Sequence, residues 1–203
     1  MLEMGLTGMI GSGKSLVAGI LRSQGFYCVD ADRLWADLMR KGRPGWRAVV
    51  RLFGPSVLDP RGNICRRKLR AVVFGSPAKR KALERLSHPL IERAYREIST
   101  RLRRRRRSLY RGLCLEAALL LQSPIRRRFK WILLIKAPTS CLIRRLKKRP
   151  LEPALLRKVV REQQRRYQKL RPPRNVRVIV NNGSQQALKK RVFAFLHEIK
   201  KAG

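Results

Sequence analysis

Leu2, Met4 and Leu6 alternate with polar or small residues, a period of two that predicts a short strand. A glycine-rich turn follows directly, and then Leu16, Val17, Ile20 and Leu21 recur at helical spacing until Gly25 ends the helix. A second strand, Phe26 to Val29, runs into Asp30 and Asp32, after which Leu34, Trp35, Leu38 and Met39 predict another helix. The opening order is strand, helix, strand, helix.

From Gly42 to about Arg107 the pattern changes. Trp46, Val49, Val50 and Phe53 predict one short helix, and Leu69, Val72, Val73 and Phe74 predict another, with a turn at Pro60, Arg61 and Gly62 between them. A longer helical region is expected from Pro77 to Arg107, broken near Pro89. A parallel crossover needs only about a dozen residues, so 42–107 reads as a helical insertion.

Three later strands, Leu113 to Leu115, Trp131 to Ile135 and Val176 to Val180, alternate with helices over Ala137 to Lys148, Pro153 to Leu170 and Ser184 to Lys200. The sum is an α/β fold: a five-stranded, mostly parallel sheet with helices on both faces and a helical insertion. Its core is expected at 1–41 and 108–203.

Gly8, Met9, Ile10, Gly11, Ser12, Gly13, Lys14 and Ser15 complete the G-x-x-x-x-G-K-[ST] pattern, after a strand and before a helix. The glycines let backbone N–H groups turn inward as an anion nest, and the first helical turn, including Leu16, adds positive potential. Lys14 is expected to reach the terminal phosphates of ATP, and the Ser15 hydroxyl to help hold Mg²⁺. A loop that merely turns strand into helix explains the glycines and leaves the Lys-Ser pair unexplained.

Asp32 lies just past the second strand, where a carboxylate can orient or deprotonate an acceptor hydroxyl; Asp30 shares its face in an extended chain, and either can instead cap a helix. Glu116 follows the third strand and can hold magnesium through a water or pair with Arg66 or Arg67. His88, before Pro89, can shape a helix junction or touch a ligand. Arg144, Arg145 and Arg149 precede Pro150, and Arg149, at the helix-loop boundary, is the better placed to close over a phosphoryl group; Arg144 and Arg145 read equally well as a solvated charge run.

The charge balance changes the picture of partners. Lys and Arg number 50 against 12 Asp and Glu, a formal net charge of +38. A nucleotide phosphate engages only a few of these cations, which leaves nucleic acid or an anionic surface as a further partner. Arg103 to Arg107 is the one low-complexity run, and without interleaved aromatics it supports only nonspecific attachment. The four cysteines form no CxxC pair, so a metal site or disulfide scaffold is not expected and a cytoplasmic setting is. No apolar run reaches the roughly 20 residues of a membrane span.

Taken together these residues resemble the dephospho-CoA kinase family over nearly the whole chain. The ordered matches are Gly5 to Ser15, Val29 to Asp32, Phe53-Gly54, Leu58 to Gly62, Arg66, Arg67, Leu69, Phe74, His88 to Ile91, Glu116 with Leu119 and Leu120, Arg149, Gln164 and Asn181 to Gly183. The resemblance implies a P-loop nucleotide kinase fold that transfers the ATP γ-phosphoryl to the ribose 3′-hydroxyl of dephospho-CoA. It implies Asp32 as catalytic carboxylate, with Lys14 and Arg149 acting on the phosphoryl group. Arg149 belongs to a lid around 145–160, Asn182 and Gly183 to the adenine end, and Arg66, Arg67, His88 and Glu116 to the substrate.

Three departures stand out. Where the family often shows Ala-Asp-x-x-Ala-Arg, this chain ends the segment in Trp35 and Ala36; Gln122 replaces a carboxylate after Leu119 to Leu121; Val180 replaces a frequent acid. An ungapped match would put Lys148 at the lid arginine. The alternatives are a nucleic-acid-associated P-loop protein without turnover, or another small-molecule kinase. The sequence does not fix an oligomeric state.

Overall fold

The computed structural model describes residues 1–104, 109–147, 153–168 and 172–201. The chain divides into two compact units, one formed by Met1–Val29 with Arg107–Gly203 and the other by Asp30–Arg106.

In the first unit the five predicted strands all form: β1 (Leu2–Gly8), β2 (Phe26–Asp30), β3 (Gly112–Glu116), β4 (Trp131–Lys136) and β5 (Val176–Val180). They lie in the order β2-β3-β1-β4-β5, and β1 pairs in parallel with both β3 and β4, as β4 does with β5. The register sets Leu6 beside Glu116 and Leu133, and Gly8 beside Ile135, so β1 delivers its last glycine to the end of the central strands. Strand alternation sends Met4, Leu6, Cys114, Leu133 and Ile135 to one face. There they meet Val17, Ile20 and Leu21 of α1 (Lys14–Ser23) and a row from the last helix, Gln185–Lys201, numbered α8 below. That row is Leu188, Val192, Phe195 and Ile199, a period of three to four that keeps it against the sheet. Each such side chain stabilises the fold by about 1.5–3 kcal/mol when buried, so this seam anchors the start of α1. All four cysteines are free. Its hydrogen bond with Cys28 and its complete burial push the Cys114 thiol well up, which suits a small core side chain.

The second unit is helical: α2 (Ala31–Leu38), α3 (Pro44–Phe53), α4 (Arg66–Phe74) and α5 (Pro77–Arg104). Val49, Val57 and Leu69 form its buried centre, and Trp35 and Met39 pack against them. That packing draws α2 into this unit, whereas the sequence pattern assigns it to the core as far as residue 41. The expected turn is a tight one: Asp59 Oδ1 accepts from the backbone N–H groups of Arg61 and Asn63, both at 2.9 Å, and Leu58 bridges to Ile64. The expected break at Pro89 does not occur. Proline has no N–H to donate, yet α5 continues through it because Tyr95, Ser99 and Leu102 beyond it stay buried.

Two further helices of the first unit, α6 (Thr139–Leu146) and α7 (Pro153–Gln168), follow β4. Leu142, Leu146 and Val160 pack there against Met9 and Ile10 of the glycine loop. Among the described residues no helix is long and apolar enough to cross a membrane.

Candidate functional site

The loop from Gly8 to Ser15 is shaped by left-handed glycines. Gly8, Gly11 and Gly13 have φ of 150°, 77° and 102°. At Gly13 an added Cβ would lie 2.3 Å from Asn181 Nδ2, and at Gly8 it would lie 2.3 Å from the Ile135 carbonyl oxygen, so both positions exclude a side chain by space as well as by torsion.

The outward carbonyls of the loop are held by side chains from the end of β5 and the last turn of α6. Asn181 Nδ2 donates to the Ser12 carbonyl at 2.8 Å. Arg145 Nη1 donates to the carbonyls of Gly11 and Ser12 at 3.3 and 3.4 Å, and its Nη2 reaches the carbonyl and Oδ1 of Asn181, both at 3.2 Å. When carbonyls are engaged on the outer side of a turn, the N–H groups of the same peptides face the other way, which is the geometry of an anion nest. Gln163 Oε1 of α7 accepts from the Ile10 N–H at 2.8 Å. At the base of the loop Thr7 contacts Tyr167 Oη at 3.1 Å, and Tyr167 donates to the Ala118 carbonyl at 2.7 Å. Burial pushes the Tyr167 hydroxyl up, keeping it a neutral donor.

Lys14 Nζ donates to the carbonyls of Gly8 and Met9 at 2.9 and 3.2 Å, so the cation lies over the loop. Ser15 is exposed, and its Oγ donates to Glu116 Oε1 at 3.5 Å; Glu116 is only 9% exposed at the end of β3. Ser12 Oγ is buried with no hydrogen-bond partner among the described residues, a polar group that an anionic oxygen would satisfy. Among the described residues no three His, Cys, Asp or Glu assemble a metal cage. The paired oxygens of Ser15 and Glu116 fit a hard cation such as Mg²⁺, which takes few protein ligands and fills its shell with phosphate oxygens and water.

In the helical unit the two aspartates separate. Asp30 is the N-cap of α2, its Oδ1 accepting from Asp32 N at 2.8 Å and Arg33 N at 3.1 Å. Asp32 stands exposed in the first turn. Arg66, with Arg40, Lys41, Asn63, Ala36, Met39 and Ile64, lines a cavity of about 190 Å³. Arg67 is exposed on the same helix, α4, and His88 is half-buried in α5. Burial holds the His88 imidazole below its ordinary value.

The loop residues Gly8 to Ser15, Leu16 and Glu116 therefore come together at the ends of β1 and β3. Asn182 and Gly183 are exposed, and the Asn182 Oδ1 accepts from Arg191, while its neighbour Asn181 holds the loop. Arg149 and Lys148 lie outside the described residues, as do Arg105 to Arg107. Arg144 is exposed and Arg145 is turned onto the loop. Sequence reasoning missed Asn181, Gln163 and Tyr167 as loop supports; the Asn-Asn-Gly step just after a strand and the family match at Gln164 were the signals, and neither Gln163 nor Tyr167 was singled out within the helix expected over Pro153 to Leu170.

Residues 2–187 match the family model described as dephospho-CoA kinase. The chain is 33% identical over 202 residues to the dephospho-CoA kinase of Moorella thermoacetica, covering 99% of this chain and 93% of that protein. It is 37% identical over 138 residues to that of Aquifex aeolicus, 68% of each chain. Among solved structures, TT1252 from Thermus thermophilus superposes with a TM-score of 0.73 at 30% identity, covering 97% of both chains. The dephospho-CoA kinase from Campylobacter jejuni shares the fold, with a TM-score of 0.66 at 20% identity over 98% of both.

Proposed function

The chain belongs to the dephospho-CoA kinase family, and from that premise we propose that it transfers the γ-phosphoryl group of ATP to the ribose 3′-hydroxyl of dephospho-CoA. The observation that carries this reading is the braced glycine loop with Lys14 across it and Ser15 beside Glu116.

Backbone N–H groups of the loop bind the phosphates without rearrangement, because Asn181 and Arg145 already occupy the opposing carbonyls. Lys14 exchanges its carbonyl partners for the terminal phosphate oxygens. Ser15 and Glu116 would hold Mg²⁺, which would supply neutralisation of the phosphate charge when bound. Asp32 accepts the proton of the attacking hydroxyl, while Asp30 caps α2. Arg66, with Arg40 and Lys41 around the adjoining cavity, binds phosphate groups of the coenzyme substrate, and Arg67 and His88 complete the substrate contacts. Arg149 completes the lid over the transferring group, and Asn182 and Gly183 border the adenine. The oxygen-phosphorus bond to the acceptor forms in line as the bond to ADP breaks, with no covalent enzyme intermediate.

The direct test incubates purified protein with ATP, Mg²⁺ and dephospho-CoA and identifies the 3′-phosphorylated product by mass. ADP release that is independent of dephospho-CoA, or product phosphorylated elsewhere, would refute the assignment.

A further inference from the structure

The kinase reading leaves most of the positive charge without a role, and part of it is concentrated in the helical unit, beyond the Arg40, Lys41, Arg66 and Arg67 assigned to the substrate. Residues 40–70 hold ten Lys and Arg against a single acid, Asp59, and all ten cations are exposed. Asp59 offsets one of them: its carboxylate is held ionised in its own turn, Oδ1 accepting from the backbone N–H groups of Arg61 and Asn63 and Oδ2 from the Asn63 side chain.

Three of these cations are ordered as a row. Arg43, the N-cap of α3, is followed by Arg47 and Arg51 at successive steps of four, so the three share one helix face about 12 Å long. Val49, on the opposite face, is fully buried in the centre of the unit, which fixes the row toward solvent. Among the described residues none of the three has a carboxylate partner. Like charges at this spacing destabilise a helix, and a cation at its N-terminus opposes the macrodipole, yet α3 has no acid in its first turn. The same conflict recurs in α4, where Arg66, Arg67 and Lys68 occupy the first turn without an acid. A linear polyanion laid along α3 removes both penalties at once. At about 3.4 Å of axis per phosphate of one strand, the row faces three to four phosphates.

We propose that the exposed Arg43-Arg47-Arg51 face of α3 binds the phosphodiester backbone of nucleic acid, without sequence preference, as a second activity separate from phosphoryl transfer. A bilayer is the poorer partner, because the row contains no apolar side chain to insert and Leu52 is the only large apolar residue of α3 among the exposed ones.

The test follows the anisotropy of a fluorescein-labelled 24-nucleotide single-stranded RNA of mixed sequence, titrated with the full chain between 50 and 300 mM salt. Replacing Arg43, Arg47 and Arg51 together by glutamine is expected to weaken binding on the order of 100-fold at 0.1 M salt and to flatten the log-log salt slope by about 2, since each lost single-strand contact removes about 0.7. Turnover of dephospho-CoA should stay unchanged. The corresponding triple lysine variant keeps the charge and should bind as the parent does, which separates lost contacts from lost folding. Lys189, Lys190 and Lys200 replaced by glutamine on α8 remove the same charge elsewhere and should cost far less. Equal losses in the α3 and α8 glutamine variants would overturn the proposal, as would a parent that binds anionic-lipid vesicles and no RNA.

Discussion

Asn181 and Ser12 lie 169 residues apart in sequence, and a buried hydrogen bond of 2.8 Å from the Asn181 amide to the Ser12 carbonyl joins them. Through it the end of β5 sets the orientation of a peptide in the phosphate loop. The neighbouring Arg145 binds both partners, so the three form one unit behind the loop.

Asn181→Ala is therefore expected to act on ATP more than on the fold. Losing the bond costs about 1–3 kcal/mol because, of these two side-chain donors, the Ser12 carbonyl keeps only the longer contact from Arg145 Nη1, at 3.4 Å. The freed peptide can rotate, and KM for ATP should rise about tenfold or more, with a smaller change in KM for dephospho-CoA. Initial rates at varied concentrations of each substrate, with urea unfolding in parallel, check this; a loss of stability with unchanged KM for ATP would separate Asn181 from the loop.

Gly13 and Gly42 form a matched pair for the cost of shape. Both have positive φ, 102° and 79°, but an added methyl meets Asn181 Nδ2 at 2.3 Å in the first and nothing within 4 Å in the second. Gly42→Ala should cost only the torsional penalty of about 1–2 kcal/mol. Gly13→Ala should cost more and abolish ATP binding. Urea midpoints and nucleotide titration distinguish them, and equal destabilisation would show that space at Gly13 is unimportant.

Asp30 and Asp32 are expected to divide structure from chemistry. Asp30→Ala removes the cap of α2 and should cost about 0.5–2 kcal/mol while retaining turnover at low temperature. Asp32→Asn keeps the shape of a first-turn residue and should lower kcat by about 100-fold or more, with KM for ATP little changed. Steady-state kinetics on both variants decides it; the reverse ranking would move the general base to Asp30.

The five strands and the phosphate loop were legible because their signals are local: period-two runs such as Leu2 to Leu6, and a motif whose glycines, lysine and serine are consecutive. The continuity of α5 through Pro89 was not, since proline's local preference for a break is overridden by burial of Tyr95 and Leu102 beyond it. The roles of Asn181, Arg145 and Gln163 were also hidden, because each depends on where β5, α6 and α7 deliver a side chain over a loop more than 130 residues away in sequence. The family resemblance singled out Asp32, but which aspartate caps α2 was visible only once the helix was seen to begin at Ala31, which makes the residue before it the cap.

His88 gives the helical unit a pH dependence of predictable sign. Burial holds its folded value below the ordinary imidazole range, partly opposed by Glu84. The unfolded chain therefore takes up the proton first as pH falls. The neutral side chain's contribution is complete above the ordinary value of about 6.5 and is lost as pH drops through the folded value. Between pH 7.5 and 5.0 the urea midpoint should fall further for the parent than for His88→Gln, in which this group no longer titrates. The difference between the two curves isolates His88 from every carboxylate titrating in the same range, and parallel curves would mean that its imidazole is solvated in the folded chain.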